Sequence, residues 1–251
     1  MTFTVAVAGK GGVGKTTFAA ITVRHLHERT GEVVLAVDAD PNSNLGAKLG
    51  TEPGRTLGSI REELMSLGEE PPPGMSKPEY IDYQVKLALK EGDGFDIVTM
   101  GRQEGPGCYC FVNNLLRNVV DSLSAKYAYV VVDNEAGMEH LSRRTTKATD
   151  VLFVVADGSK AAVEAARRIS TLADEMKIRV GHKALVRNMS DPSSADAGTG
   201  TVEGFDSVHA VRRSSRVRAD SERSESLMDL PRTDPAFSDI SRAVDSVRRV
   251  A

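Results

Sequence analysis

The residues with the clearest chemistry form a glycine-rich loop near the start of the chain. They are Gly9, Lys10, Gly11, Gly12, Val13, Gly14, Lys15, Thr16 and Thr17, which match the phosphate-binding pattern G-x-x-x-x-G-K-[ST] in full. Glycines let backbone N–H groups turn towards phosphate, and the helix predicted to follow adds the positive end of its dipole. We expect Lys15 to reach the β- and γ-phosphates of a bound nucleotide and the Thr16 hydroxyl to hold Mg²⁺.

Carboxylates follow two of the predicted strands. The apolar run 33–37 leads into Asp38 and Asp40, and the run 128–132 leads into Asp133. Because the carboxyl ends of parallel strands meet at one edge of a sheet, we expect these side chains beside the phosphate loop. Asp40 is the candidate for positioning an attacking water, Asp38 for a supporting contact near the metal, and Asp133 for holding Mg²⁺ through a water. The alternative is that Asp38 and Asp40 are loop carboxylates that cap a short helix.

Apolar runs and helical patterns alternate along the chain, and this order positions the candidate residues. Strands are predicted at 3–8, 33–37, 95–99, 128–132, 151–156 and 180–186, and helices at 18–28, 56–66, 80–90, 111–124, 161–176 and 235–250. The pattern predicts an α/β fold, a mostly parallel doubly wound sheet flanked by helices, in a single domain over residues 1–251. Residues 190–204 are predicted to form a polar surface loop. The arginines that follow are predicted to form a solvated face: Arg212, Arg213, Arg216 and Arg218.

The composition is that of an ordinary globular protein. Hydrophobic residues make up 40%, charged residues 27%, and the net charge is −3. A slightly acidic chain is not built for nucleic acid or anionic lipid. No apolar stretch approaches the roughly 20 residues of a membrane span, and the N-terminus shows no signal peptide. We therefore expect a cytoplasmic protein that binds neither nucleic acid nor membrane.

The two cysteines, Cys108 and Cys110, are one residue apart and follow Gly105-Pro106-Gly107. Two thiolates at this spacing can chelate one soft cation, but they cannot complete a tetrahedral site. A second copy of the chain is the simplest source of the missing two ligands. The alternatives are a small buried filler and a redox-sensing dithiol.

The phosphate loop resembles the deviant loop of the MinD/ParA/nitrogenase-iron-protein group of ATPases, because Lys10 adds a second, early lysine. In that group this lysine reaches the partner's nucleotide across a dimer. A cation from the other subunit would stabilise the charge that gathers during phosphoryl transfer, and this ties ATP hydrolysis to dimerisation. The alternative for Lys10 is a solvated loop residue. Asn188, at the end of the strand 180–186, resembles the group's base-recognising asparagine, and a plain turn residue is its alternative.

Longer motifs resemble the CooC family of nickel-handling ATPases, which help mature carbon monoxide dehydrogenase or acetyl-CoA synthase. They are the phosphate loop, residues 38–45, the stretch EGPGCYC at 104–110 and the stretch DNEAGMEHLSRR at 133–144. The resemblance implies an ATP-driven homodimer that binds nickel or zinc through Cys108 and Cys110 at its interface and serves a client nickel enzyme such as carbon monoxide dehydrogenase. Two other hypotheses remain open, a positioning ATPase of the ParA/MinD type on DNA or membrane, and an iron–sulfur reductase resembling nitrogenase iron protein.

Overall fold

The fold comes from a computed structural model, which describes residues 2–52, 54–66, 72–102, 110–135, 148–191, 200–223 and 225–248. Its strands are β1 (Phe3–Gly9), β2 (Val34–Ala39), β3 (Lys90–Glu91), β4 (Phe95–Thr99), β5 (Tyr129–Asn134), β6 (Ala148–Ala156), β7 (Arg179–Ser190) and β8 (Ser207–Arg212). They form an eight-stranded sheet in the order β3-β4-β2-β5-β1-β6-β7-β8. Neighbouring strands are parallel except for β3 and β4, so the predicted mostly parallel sheet is confirmed.

Helices cover both faces of this sheet. They are α1 (Lys15–Thr30), α2 (Leu45–Lys48), α3 (Leu57–Ser66), α4 (Lys77–Ala88), α5 (Cys110–Ser124), α6 (Lys160–Glu175), α7 (Ser215–Glu222) and α8 (Pro235–Arg248). One face packs on α1 and α8, while the other packs on α3, α4 and α5 at one end and on α6 at the other. The predicted doubly wound α/β arrangement is therefore confirmed.

The central strands are apolar on both sides because both sides are covered. In β1, Val5 and Val7 enter the layer under α1, whereas Ala6 and Ala8 enter the layer under α6. Full burial of a valine side chain contributes about 1.5–3 kcal/mol, so the continuous apolar runs stabilise the sheet from both faces.

The C-terminal part of the chain is attached to α1 through Arg24. This side chain is buried, and its Nη1 donates to the carbonyl oxygens of Leu227 and Leu230 at 3.0 and 2.6 Å. Its guanidinium also lies over the Phe237 ring, 4.7 Å from the ring centroid, and pairs with Glu28 at 2.7 Å. The helix that leaves the phosphate loop thus also holds the segment that leads into α8.

The sequence pattern did not predict β3, β8 or α7. The arginines expected on a solvated face lie at the end of β8 and in α7, and several of them are neutralised by carboxylates. Arg212 makes two hydrogen bonds to Asp239, at 2.8 and 2.9 Å. The pairs Arg216–Asp220 and Arg218–Glu222 link residues one helical turn apart. This pairing weakens the positive potential that the arginine run suggests in the sequence.

Candidate functional site

The phosphate loop lies where the winding of the sheet reverses. β1 pairs with β5 on one side and with β6 on the other, and successive elements are added in opposite directions from it. Ligands of doubly wound folds bind at such a point, outside the carboxyl ends of the strands. Gly12 and Gly14 have φ values of +80° and +93°, which favour glycine, and a Cβ on Gly9 would lie 2.3 Å from the carbonyl oxygen of Val155. Both the backbone conformation and the lack of room for a side chain therefore require glycines in this loop.

Helix α1 begins at Lys15 without a side-chain cap. Its first N–H groups are therefore available to an anion, and the helix dipole favours negative charge there. The Lys15 side chain is buried, and its Nζ donates to the carbonyl oxygen of Lys10 at 3.2 Å. Burial lowers the pKa of Lys15, and the neighbouring carboxylates, Asp133 first among them, oppose that shift. The ammonium group thus sits on the phosphate loop, close to the predicted Mg²⁺ ligand.

Asp133 lies next to the loop as a buried carboxyl group. In the sheet it is level with Val7 and with Asp38, and it is 1% exposed. Within the described residues, neither carboxyl oxygen has a hydrogen-bond partner of good geometry. Burial raises the pKa of Asp133 to about 7, although the nearby Thr16 hydroxyl pulls it down. A buried carboxylate without partners is costly, and Mg²⁺, which prefers oxygen ligands, would relieve that cost.

Asp38 and Asp40 hold the loop between β2 and α2. The fully buried Asp38 carboxylate accepts hydrogen bonds from the backbone N–H of Asp40 and of Leu45, at 3.2 and 2.9 Å. Leu45 is the first residue of α2, so Asp38 caps this short helix. The alternative stated from the sequence was that Asp38 and Asp40 both cap it, but the Asp40 carboxylate accepts from Asn42 instead. Burial raises the pKa of Asp38 to about 7. Asp40 is half-buried and interacts electrostatically with Lys15.

Asn188 closes the other side of the phosphate loop. Its Nδ2 donates to the carbonyl oxygen of Val13 at 2.8 Å, and it lies so close to Gly14 that a Cβ there would be 2.4 Å away. A cavity of about 500 Å³ opens beside it, bounded by Gly14, by Met189 and by Val217 of α7. The cavity is large enough for a nucleotide base, and its α7 wall was missed from the sequence because nothing predicted a helix there.

The cysteines are only partly described. Cys108 lies outside the described residues, and Cys110 is described by its backbone alone, as the first residue of α5. Among the described residues, no group of three His, Cys, Asp or Glu side chains converges as a metal site. The strand that leads towards the cysteines does end at the nucleotide edge, because Thr99 of β4 is level with Asp38 and Met100 N–H donates to the Asp38 carbonyl at 2.8 Å.

The structure therefore brings most of the predicted residues to one edge of the sheet. Lys15, Thr16, Asp38, Asp40 and Asp133 lie around the mouth of the loop. Sequence reasoning missed the contact between Arg102 Nη2 and Asn42 Oδ1, at 2.7 Å. Its only signal in the sequence was an arginine three residues after a strand that ends at this edge. None of the helices in the described part of the chain is both long and apolar enough to cross a membrane.

A mostly parallel sheet with a phosphate loop at its reversal point, flanked by strand-end carboxylates, defines a P-loop nucleotide-binding protein. Residues 4–250 match the family described as "CobQ/CobB/MinD/ParA nucleotide binding domain". The chain belongs to this family, whose members include ATP-binding P-loop ATPases.

Individual relatives agree with this assignment. Over 190 residues, 75% of each protein, the chain is 47% identical to an uncharacterized ATP-binding protein of Methanocaldococcus jannaschii. Over 242 residues, 90% of this chain and 89% of the relative, it is 28% identical to the carbon monoxide dehydrogenase accessory protein CooC of Rhodospirillum rubrum. The septum site-determining protein MinD of Pyrococcus horikoshii OT3, solved with Mg-ADP, has the same fold, with a TM-score of 0.68, 18% identity and coverage of 99% and 98%.

Proposed function

We propose that the chain binds Mg·ATP at this edge and hydrolyses it. The observation that carries the proposal is the buried carboxylate of Asp133, which has no hydrogen-bond partner of good geometry among the described residues and lies beside an uncapped helix start and Lys15. Loop N–H groups and Lys15 would hold the phosphates, while the Thr16 hydroxyl and Asp133 would hold Mg²⁺, which neutralises charge on the phosphates. The fold relative solved with Mg-ADP supports this set of cofactors.

Asp40 is the proposed residue for positioning the attacking water. It lies near Lys15 and is more accessible than Asp38, which is fully buried and engaged in capping α2. Asn188 is the proposed base contact. With its Nδ2 bound to Val13, its amide oxygen remains as an acceptor, which matches the exocyclic amine of adenine.

Lys10 is proposed to act on the nucleotide of a second copy of the chain. Its side chain is exposed, unlike the buried Lys15, which suits contact with a partner. In such a homodimer each hydrolysis site would combine Asp40 of one copy with Lys10 of the other.

Mixing two inactive variants tests this arrangement. We expect Lys10→Ala and Asp40→Ala each to bind ATP and hydrolyse it poorly. An equimolar mixture of the two should recover about a quarter of the wild-type phosphate release, because about half of the dimers are mixed and one of the two sites in each mixed dimer is complete. Absence of recovery, with mixed dimers demonstrated by differently tagged copies, would show that Lys10 acts within its own chain or not at all.

We further propose that ATP binding assembles a metal site from Cys108 and Cys110 of two copies, and that hydrolysis loosens it. The cargo would be Ni²⁺ or Zn²⁺, delivered to a client nickel enzyme such as carbon monoxide dehydrogenase. The CooC relative, aligned over most of both chains, supports this reading. So does the path of β4, which ends level with Asp38 before the chain continues to Cys108. Four thiolates complete a tetrahedral site, whereas two do not.

Metal stoichiometry tests the proposal. With a non-hydrolysable ATP analogue we expect a dimer that holds about 0.5 ion per chain, since two copies share one site. With ADP we expect monomers that lose the ion to a chelator. The double variant Cys108→Ser with Cys110→Ser should keep nucleotide binding and lose the metal. A monomer that holds one ion tightly with either nucleotide would contradict the proposed function.

A further inference from the structure

We propose that Met189 binds the nucleotide base, with its thioether packed against the face of the ring while the neighbouring Asn188 contacts the edge. The inference rests on the proposed nucleotide binding. It starts from an irregularity in the sheet, since the pairing of β7 with β8 shifts register between Arg187 and Ser190. Two residues of β7, Asn188 and Met189, therefore lie opposite one residue of β8, which makes a β-bulge. Bulges are frequent beside binding sites, where they redirect a side chain.

Met189 is held in the left-handed region of the backbone, with φ at +56°. Among the described residues, Ser43 and Lys177 are the other non-glycine residues with positive φ, and both lie in turns. Ser43 N–H donates to the Asp40 carbonyl, and Lys177, just after α6, donates to the Asp174 carbonyl. Met189 instead lies inside a strand. Glycine adopts this conformation at lower cost than methionine, so a methionine here indicates that its side chain is needed at this position.

The Met189 side chain reaches the start of α1. Its Cε lies 3.7 Å from the place that a Cβ on Gly14 would take, and Gly14 is the residue before α1. Successive residues of a regular strand point to opposite faces, whereas here Asn188 and Met189 both approach the phosphate loop. Met189 is 40% exposed and lines the cavity of about 500 Å³ described above. Its apolar surface is therefore open to a ligand in that cavity.

The opposite walls of this cavity suit a flat ring. Its apolar lining includes Val217 of α7 and Ala236 and Ile240 of α8. Of the three arginines that also line it, Arg212 and Arg218 are paired with carboxylates. A second cavity beside Met189, of about 630 Å³, is lined mostly by charged side chains and suits a base less well. Because a thioether sulfur makes favourable contacts with aromatic rings, Met189 can hold the face of a base in the first cavity.

The affinities for Mg·ADP and Mg·pyrophosphate, measured by isothermal titration calorimetry, test the inference. Met189→Gly removes the thioether and accepts φ at +56° without strain. We expect it to bind ADP about 5- to 10-fold more weakly, because the sulfur–ring contact and its apolar surface are lost. Its affinity for pyrophosphate, which has no base, should stay at the wild-type value. Met189→Leu, which keeps an apolar side chain of similar size, should bind ADP within about two-fold of wild type.

Lys177→Gly is the matched control, because φ is +56° at both Lys177 and Met189. Neither glycine variant should be less stable than wild type in urea denaturation, and Lys177→Gly should keep the wild-type affinity for ADP. An unchanged ADP affinity in Met189→Gly would overturn the inference and leave the proposed function standing. An equal loss of affinity for ADP and pyrophosphate would also overturn it, because the phosphate loop rather than the base contact would then be affected.

The Met189 methyl group gives a direct readout in protein labelled with ¹³C at the methionine methyls. The NMR signal that is missing from Met189→Leu is that of Met189. ADP should shift this signal upfield, because the methyl group lies over the ring of the base, and pyrophosphate should not reproduce that shift. A signal that ADP leaves in place would overturn the inference alone. Failure of the wild type to bind either Mg·ADP or Mg·pyrophosphate would overturn the proposed function as well.

Discussion

Replacing Asp133 by asparagine should stabilise the nucleotide-free protein, and more so at high pH. The folded state raises the pKa of this carboxyl from 3.8 to about 7, chiefly through burial. Because ionisation is harder in the folded state, wild-type stability falls as pH rises from about 4 to 7. At about 1.4 kcal/mol per pKa unit, the cost is about 2 kcal/mol at pH 5 and about 4 kcal/mol at pH 8. The asparagine variant does not ionise, so its advantage in the free energy of unfolding should grow by about 2–3 kcal/mol between these pH values.

Urea denaturation at both pH values, without nucleotide and with a chelator of Mg²⁺, measures this difference. The comparison between pH values cancels any constant effect of burying an amide at this position. Asp229→Asn is the control, because the Asp229 side chain is exposed. With Mg·ADP added, the wild type should gain stability by binding, whereas Asp133→Asn should gain little. If variant and wild type differ by the same unfolding free energy at both pH values, Asp133 is not a buried carboxylate that needs a cation.

Three further substitutions probe the loop and its neighbours. Gly14→Ala should lower the free energy of unfolding by about 1–3 kcal/mol through backbone strain alone. The contact of the new Cβ with Asn188 should lower it further, and nucleotide affinity should fall as well. Gly74→Ala is the matched control in urea denaturation. The φ angle is +93° at Gly14 and +90° at Gly74, but a Cβ on Gly74 would meet nothing within 4 Å. Equal losses of unfolding free energy in the two variants would show that the contact with Asn188 does not matter. Lys15→Ala should abolish dimer formation with ATP, measured by light scattering, and a wild-type dimer would count against the loop assignment. Asp40→Ala should lower phosphate release by about 100-fold or more at unchanged ATP affinity, and normal turnover would reassign the water-positioning role.

The sequence predicted those parts of the fold that depend on local patterns. Continuous apolar runs identified β1, β2, β4, β5, β6 and β7, because strands covered on both faces leave little room for polar residues. The edge strand β8 pairs with β7 alone, and only three of its six residues are apolar, so it lacks the continuous apolar run of the inner strands. Helix α7 was missed because its surface is dominated by ion pairs rather than by an apolar stripe.

Part of the candidate site could likewise be predicted from the sequence, and part of it could not. Its phosphate loop could be predicted because a contiguous run of residues carries the chemistry. The contacts of Asn188 with Val13 and of Arg102 with Asn42 join residues that are 175 and 60 positions apart. Such pairings depend on the register of the sheet and on the exit path of each strand, which one sequence does not reveal. The cap that Asp38 provides to α2 was foreseen only as an alternative, since a strand-end aspartate fits both roles.

The attachment of Arg24 to the carbonyls of Leu227 and Leu230 has a practical consequence for anyone shortening this protein. Deleting the chain from residue 225 onwards would remove both carbonyl acceptors of the buried Arg24 guanidinium, together with the Phe237 ring that covers it, from the helix whose first turn is proposed to bind phosphate. A protein truncated in this way should therefore lose nucleotide binding, although every residue of the glycine-rich motif would still be present.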